Sequence, residues 1–205
     1  MPFLYLIRHG ENDFVKSRKV AGRLPGVHLN ERGREQAQAL AQIFANVPLV
    51  AVYSSPLERA LETARPIAEV HHLNIIEKPN LLESDVGKWQ GKAWKGLMRT
   101  KAWGLVQHAP SRFRFPGGES FLEMQTRVVT VLEEIYSLCK KPHDAVAVVF
   151  HADPIKLAVA HFIGLPLDYF QRLSCDTGSV TLLAIGQDGA RLMWMNRKPP
   201  CDISV

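Results

Sequence analysis

The sequence predicts an α/β fold, a three-layer α/β/α sandwich with a mostly parallel sheet and an antiparallel hairpin at its edge. Short apolar runs rich in Val, Ile and Leu alternate with segments of helical periodicity, which is typical of parallel strands joined by helices. Two later apolar runs flank Asp188 and Gly189, a dipeptide that favours a tight hairpin turn. No repeat or low-complexity linker interrupts the 205 residues, so we expect a single domain over residues 1–205.

The strands are predicted from the apolar runs. Four runs that alternate with helical segments should form the parallel part of the sheet, and the run at 74–77 is the weakest of them. The last two runs should pair as the antiparallel edge hairpin. The predicted strands cover residues 3–7, 49–53, 74–77, 145–150, 180–185 and 191–195.

Four helix starts are predicted from capping residues. Ser55 is followed by a proline and, three positions on, by a glutamate, a combination typical of a helix N-terminus. Ser120 also has a glutamate three positions later, and apolar residues then recur at helical spacing to residue 138. Asn30 and Asp153 should cap two more helices, the second of which ends near Gly164.

Residues 92–115 lack a clear periodicity and carry Trp94 and Trp103 among basic residues. Such a segment predicts an excursion over the sheet, and long excursions in compact domains often serve as functional lids. A helical insertion that only packs on the body is the alternative.

Composition excludes several classes of protein. No stretch approaches the roughly 20 apolar residues that cross a bilayer, and the first residues lack the charge and cleavage site of a secretory signal. The cysteines, Cys139, Cys175 and Cys201, are odd in number and widely spaced, which argues against a disulfide framework or a zinc site. We therefore expect a cytoplasmic protein without a membrane partner.

A net charge of +5 favours an anionic partner. The basic residues are spread along the chain, with no basic run interleaved with aromatics, so a nucleic acid is not the expected partner. A small phosphorylated molecule is the expected one, and the sequence does not indicate the oligomeric state.

Polar residues follow several predicted strands, where ligands bind in open parallel sheets. Arg8 and His9 follow the first strand, Arg59 the second, Glu83 the third and His151 the fourth. Arginine forks match phosphate oxygens, a histidine can act as nucleophile, and a carboxylate can move a proton. Each residue alone has an ordinary structural explanation, but together they predict a site for a phosphate dianion.

The order of motifs resembles that of the histidine phosphatase superfamily, also called the phosphoglycerate mutase-like family. The resemblance runs from Phe3 to about Gly164 and opens with the family's R-H-G-E motif at residues 8–11. The strand that ends in His151 completes it. The other matching segments are residues 22–26, 29–33, 54–64, 82–83, 87–91 and 116–120.

The resemblance implies that His9 is the phosphorylated nucleophile and that Glu83 is the general acid and then the general base. It implies neither a metal ion nor another cofactor, and the eight histidines show no H-E-x-x-H spacing. The residues expected to contact the phosphoryl group are Arg8, His9, Asn12, Arg59, His151 and Ala152.

Two positions depart from the family pattern. Val15 stands where many members have a phosphate-binding asparagine, and Ala152 stands where glycine usually follows the histidine. Residues 153–156 resemble a branch known only as probable phosphomutases, which leaves the substrate open.

The predicted function is that of a metal-independent phosphomonoesterase that acts on a small phosphorylated metabolite through a phosphohistidine. A phosphomutase using the same intermediate is the first alternative, although the chain is too short to match the covering insertion of phosphoglycerate mutases. A non-catalytic phosphate-binding relative is the second. Substrate choice should depend on residues 11–23 and 92–115, whose basic and aromatic composition suggests an anionic metabolite.

Overall fold

The computed structural model describes residues 1–201 and residue 203. In this part of the chain six strands form one sheet, in the order β3-β2-β4-β1-β5-β6. The strands are β1 (Phe3–Arg8), β2 (Leu49–Ser54), β3 (Ile75–Glu77), β4 (Ala145–Phe150), β5 (Val180–Gly186) and β6 (Gly189–Arg197).

The sheet is mixed, as the sequence predicts. Strands β1, β2, β3 and β4 pair in parallel, β5 pairs antiparallel with β1, and β6 pairs antiparallel with β5. The predicted hairpin around Asp188 and Gly189 is therefore confirmed, and it occupies one edge of the sheet.

Helices cover both faces of the sheet, which confirms the three-layer sandwich. Alternate residues of β1 point to opposite faces: Tyr5 and Ile7 pack with the α2 and α3 side, while Leu4 and Leu6 pack with the α6 and α7 side. Both faces are thus buried, which explains why these strands read as continuous apolar runs. The helices are α1 (Asp13–Lys16), α2 (Glu31–Phe44), α3 (Glu58–Val70), α4 (Trp94–Leu97), α5 (Lys101–His108), α6 (Phe121–Leu138) and α7 (Ala152–Phe162).

Two of the four predicted helix caps are correct and two are wrong. Asn30 and Ser120 cap α2 and α6 through their side chains. Helix α3 begins at Glu58 with Leu57 as its N-cap residue. The Ser55 hydroxyl lies before the helix, where it accepts from the Leu57 amide at 3.4 Å and bonds His151 at 2.9 Å. Helix α7 begins at Ala152 rather than after Asp153, and the Asp153 carboxylate pairs with a lysine one turn along the helix.

Residues 92–115 fold into α4, α5 and a 3₁₀ turn at Pro110–Arg112. The segment packs on the body through an aromatic cluster that includes Phe113, Phe115 and Phe121. It also borders the cavity of the candidate active site. Its helices agree with the predicted helical insertion, and its position beside the cavity agrees with the predicted excursion over the sheet.

No helix in residues 1–201 is long and apolar enough to cross a bilayer. The single domain over residues 1–205 and the cytoplasmic location stay predictions.

Candidate active site

The two predicted histidines meet at the carboxyl ends of neighbouring strands. Arg8 pairs with Phe150 in the parallel register of β1 and β4, so His9 and His151 follow at the same level. Their ring centroids lie 5.2 Å apart in an edge-to-face arrangement. Donor atoms of His9, Glu83 and His151 all lie within 4.8 Å of one another, so the structure brings these three predicted residues together.

His9 is held in one orientation, with one ring nitrogen available for chemistry. Its Nδ1 lies 2.7 Å from the carbonyl oxygen of Gly10. A carbonyl only accepts hydrogen bonds, so Nδ1 carries the proton and Nε2 keeps its lone pair. The ring is 3% exposed, and Nε2 is the atom that can act as a nucleophile.

The turn after β1 packs closely against α2, because Gly10 in the turn lies next to Gly33 in the helix. A Cβ atom on Gly10 would lie 2.5 Å from the carbonyl oxygen of Gly33 on α2, a distance that no side chain tolerates. The Gly10 amide donates to the Thr63 hydroxyl of α3 at 3.0 Å. This packing fixes the carbonyl that orients His9, and Thr63 is a contributor that sequence reasoning missed.

The two predicted arginines are anchored by backbone carbonyls. Arg59 is 1% exposed; its Nη2 donates to Gly22 O at 2.8 Å, and its Nε lies 3.4 Å from His9 Nε2. Arg8 Nη1 donates to Cys175 O at 2.6 Å. Each guanidinium is thus held by one nitrogen and presents others to the site.

Buried nitrogens without a partner gather at this site. Five buried side-chain polar atoms in the described residues lack a hydrogen-bond partner, and four of them are nitrogens of predicted site residues. An unsatisfied buried polar group costs about 1–3 kcal/mol, so a cluster of them indicates a ligand rich in acceptor oxygens. The four atoms are Arg8 Nε, Asn12 Nδ2, Arg59 Nη1 and His151 Nδ1.

Asn12 is oriented by the short helix α1. Its Oδ1 accepts from the Val15 amide at 3.0 Å, so the amino group is the end left without a partner. Asn12 is 1% exposed. Val15 lacks the side-chain amide that an asparagine would offer to a phosphate, and Asn12 Nδ2, three residues earlier, offers such a donor.

Glu83 is the carboxylate nearest the histidines. Its Oε2 lies 3.9 Å from His151 Nδ1, and its Oε1 accepts from the amide of Ser84 at 2.9 Å. Two other carboxylates close in sequence to site residues do not border the cavity: Glu11 accepts from Asn30, and Asp85 accepts from the Gly87 amide.

Charge and burial separate the protonation states of these groups. Burial lowers the pKa of His9 well below its ordinary 6.5, and the charges of Arg59 and Arg8 lower it further. Burial also lowers the pKa of His151. Burial raises the pKa of Glu83, and the nearby Asp153 carboxylate adds a smaller increase. A neutral histidine and a protonated carboxyl can therefore coexist, which suits a nucleophile beside a general acid.

A network of charged residues holds the Glu83 backbone. Arg23 Nε and Arg127 Nη2 donate to Glu83 O at 2.8 and 3.2 Å. Both arginines also bond Glu119, whose carboxylate accepts from the Asp85 amide as well. Sequence reasoning matched the Glu119 segment to the family without assigning it this role.

The same trio, His9, Glu83 and His151, is also the one group of donors in the described residues close enough to hold a metal ion. The guanidinium groups of Arg8 and Arg59 adjoin it. The positive charges of these two guanidinium groups repel a cation and attract an anion. The arrangement therefore suits a phosphoryl group better than a metal ion.

A cavity of about 370 Å³ opens over the site. The predicted residues Arg8, His9, Asn12, Arg59 and Ala152 border it. Ala152 begins α7, where the helical backbone accepts an alanine as readily as a glycine. Residues that sequence reasoning did not place at the cavity are Ser84, Val86, Trp89, Asp153, Lys156, Gln171 and Cys175.

Comparisons with known proteins agree with this geometry. A family model described as the histidine phosphatase superfamily (branch 1) matches residues 4–198. Phosphoserine phosphatase 1 of Hydrogenobacter thermophilus is 33% identical over 187 residues, which cover 88% of this chain and 85% of that protein.

Two further relatives point the same way. A metal-independent phosphoserine phosphatase of Arabidopsis thaliana is 34% identical over 158 residues, which cover 75% of this chain and 65% of that protein. The solved structure of a mycobacterial glucosyl-3-phosphoglycerate phosphatase superposes with a TM-score of 0.87 at 26% identity, over 96% of this chain and 99% of that one. The predicted enzyme class, a phosphatase, is confirmed by these matches, and the chain belongs to the histidine phosphatase superfamily.

Proposed function

We propose that this chain is a metal-independent phosphomonoesterase that works through a phosphohistidine at His9. One observation carries the proposal: an unprotonated Nε2 of His9 beside four buried nitrogens that lack partners. A nucleophile and a set of oxyanion donors are the two parts that phosphoryl transfer without a metal requires.

In the first step, His9 Nε2 attacks phosphorus in line with the ester oxygen. The P–N bond forms as the P–O bond to the leaving group breaks, and the Glu83 carboxyl gives its proton to the departing oxygen. The raised pKa of Glu83 supports this role, because the carboxyl must enter the step protonated.

In the second step, the Glu83 carboxylate takes a proton from water, whose oxygen attacks the phosphohistidine. The P–N bond breaks and inorganic phosphate leaves. His9 is again neutral and Glu83 again protonated, so the cycle is balanced without a cofactor. Glu83 O is held by two arginines, which keeps one carboxyl in place for both steps.

Four donors stabilise the charge on the transferring group in both steps. Arg8 and Arg59 supply the positive charge, and Asn12 Nδ2 supplies a neutral donor. His151 donates from Nδ1 when its Nε2 accepts from the Ser55 hydroxyl, 2.9 Å away. This tautomer assigns Ser55 a positioning role.

The relatives favour hydrolysis over transfer to a second sugar or glycerate. The three proteins described above are named as phosphatases of phosphoserine or of glucosyl-3-phosphoglycerate. A small phosphorylated metabolite is accordingly the proposed class of substrate. A mutase would use the same His9 intermediate but return the phosphate to a bound acceptor.

The first test is to trap the intermediate. Enzyme mixed with radiolabelled phenyl phosphate and quenched without acid should carry an acid-labile phosphate on His9, and EDTA should leave the turnover rate unchanged. His9→Ala should fold normally and retain less than a few per cent of activity, because the two-step path needs the nucleophile.

His143→Ala is the matched control, since this histidine is exposed and does not border the cavity. Activity of His9→Ala above a few per cent would contradict the mechanism. Retention of the label on an acceptor alcohol, with no release of inorganic phosphate, would favour the mutase.

A further inference from the structure

Beyond the phosphoryl site, the cavity is bordered by a wall of aromatic rings. We call Trp89, Trp94, Trp103 and Phe115 the aromatic wall, and all four border the cavity. Trp89 and Trp103 are nearly parallel, with centroids 6.5 Å apart and an angle of 22° between their planes. Trp94 lies 6.2 Å from Trp103. The wall therefore places aromatic side chains beside whatever is joined to the phosphate.

The inner part of the wall, Trp89 and Phe115, is packed before any ligand binds, while Trp94 is 45% exposed. Trp89 is 6% exposed and packs edge-on against Phe115, with centroids 5.4 Å apart. The Trp103 amide is capped by Thr100 at the start of α5. A preformed apolar surface costs little ordering on binding, so it can contribute directly to affinity.

The side of the cavity formed by residues 14–22 is also mostly apolar. Phe14, Val15 and Val20 border the cavity there. Backbone hydrogen bonds join this loop to the other one, from Val20 N to Lys92 O at 2.9 Å and from Trp94 N to Arg18 O at 2.9 Å. The two loops thus lie side by side, and each contributes apolar side chains to the cavity lining.

Little charge in the cavity remains for a charged leaving group. The structure describes every residue of loops 11–23 and 92–115. Among the lysines and arginines of these two loops, Lys19 alone borders the cavity, and its side chain is exposed. Lys156 is 9% exposed, and its Nζ lies 2.8 Å from Asp153 and 2.7 Å from Gln171. This pair is neutral overall and satisfied internally.

We propose that the cavity selects phosphate monoesters whose leaving group is an alcohol bearing an aromatic ring. The proposal rests on the proposed phosphatase activity and names its substrate class. The ring stacks on Trp103 and Trp94 while the phosphate meets Arg8 and Arg59. A cavity of about 370 Å³ lies at the small end of the range for ligand sites, which suits a phosphate and one ring.

An amino-acid leaving group fits this cavity poorly. Its carboxylate would lie beside aromatic rings and a lysine already paired with Asp153, with the exposed Lys19 as the one cation that loops 11–23 and 92–115 bring to the cavity. A buried carboxylate without a close partner is costly. The substrate preference should therefore differ from the activity for which the phosphoserine phosphatases in the comparison are named.

The experiment compares benzyl phosphate, ethyl phosphate and phosphoserine as substrates. Benzyl and ethyl phosphate have alkoxide leaving groups of similar basicity, so a difference in kcat/KM reports contact with the ring. We expect benzyl phosphate to exceed each of the other two by about tenfold or more, which corresponds to about 1.4 kcal/mol.

Trp103→Ala should lower kcat/KM for benzyl phosphate about tenfold and change that for ethyl phosphate less than about twofold. Trp103→Phe should recover most of the loss. Leu105→Ala is the matched control, because Leu105 lies on the same helix, is exposed and does not border the cavity. It should leave both substrates unaffected.

Inhibition of the wild-type enzyme gives a readout that does not depend on a variant's folding. Benzylphosphonate should inhibit about tenfold more strongly than methylphosphonate. Equal inhibition, or hydrolysis of phosphoserine at least as fast as benzyl phosphate, would overturn the inference and leave the phosphatase activity standing. Failure to hydrolyse any of the three esters would overturn both.

Discussion

Replacement of Arg59 tests whether the site needs a guanidinium or only a positive charge. The three nitrogens of Arg59 have three different surroundings: Nη2 is bonded to Gly22 O, Nε faces His9 Nε2, and Nη1 lacks a partner. A lysine brings one nitrogen, which cannot hold the Gly22 carbonyl and also donate to the phosphoryl group. Burial lowers the pKa of Arg59, and it would lower that of a lysine enough to threaten its charge.

The expected loss follows from the donors removed. Loss of one donor to the transferring group costs about 2–4 kcal/mol, so Arg59→Ala should lower kcat/KM about 30- to 900-fold. Arg59→Lys should recover only part of this. Guanidinium ion added at millimolar concentration should restore activity to Arg59→Ala and have no such effect on the wild type.

The assay is steady-state hydrolysis of phenyl phosphate, with thermal melts to confirm folding. Arg65→Ala and Arg65→Lys are the matched controls, because Arg65 is an exposed residue of the same helix. Full activity in Arg59→Lys would refute the reasoning, since a point charge would then suffice.

Three further predictions concern the carboxylates and the buried histidines. Glu83→Gln should slow hydrolysis of an alkyl phosphate on the order of a hundredfold, yet slow phosphoenzyme formation from para-nitrophenyl phosphate much less, in a pre-steady-state burst assay; equal losses would mean that Glu83 is not the proton donor. Glu119→Gln should lower the free energy of unfolding by about 1–3 kcal/mol in urea titrations, because Arg127 and the Asp85 amide lose a charged acceptor, and it should also slow turnover through Glu83. Glu123→Gln, which alters an exposed pair with Arg114, should cost less, and an equal cost would contradict the role of the network. The free energy of unfolding should also fall as pH drops below about 6.5, by up to about 1.4 kcal/mol per pH unit for each of His9 and His151. The unfolded chain takes up protons there that the buried rings, whose pKa values are lowered, do not. The raised pKa of Glu83 acts in the opposite sense, and a slope unchanged in His9→Ala would show that His9 contributes nothing.

The sequence predicted the fold class correctly because both of its signals are local. The strands are continuous apolar runs because both faces of the sheet are buried, and the helices between them show apolar residues at helical spacing. Both patterns can be recognised within short stretches of the sequence. The caps at Asn30 and Ser120 were also predictable, since a cap and the amide it bonds lie three residues apart.

The five candidate site residues were predictable for a similar reason. Arg8 ends β1, the other four come after strands, and the carboxyl ends of parallel strands meet at one edge. The other four are His9, Arg59, Glu83 and His151. Their position relative to the strands is local information, although their contacts are not. The roles assigned to them stay predictions until the variants are measured.

What only the tertiary structure decided involves pairs of residues far apart in the chain. Ser55 looks like a helix cap from its neighbours, but its hydroxyl bonds His151, 96 residues away. Glu119 supports the Glu83 loop through arginines on other elements. No local period or propensity encodes such contacts, because they depend on how the elements pack.

The character of the cavity was decided in the same way. The sequence showed two loops that are basic and aromatic, and it could not tell which side chains face inward. In the folded chain the rings of Trp89, Trp94 and Trp103 border the cavity, while nearly all the lysines and arginines of these loops do not. Composition is a property of the sequence, but which of those residues a ligand meets is set by packing, since burial favours the apolar side chains and leaves the charged ones in water.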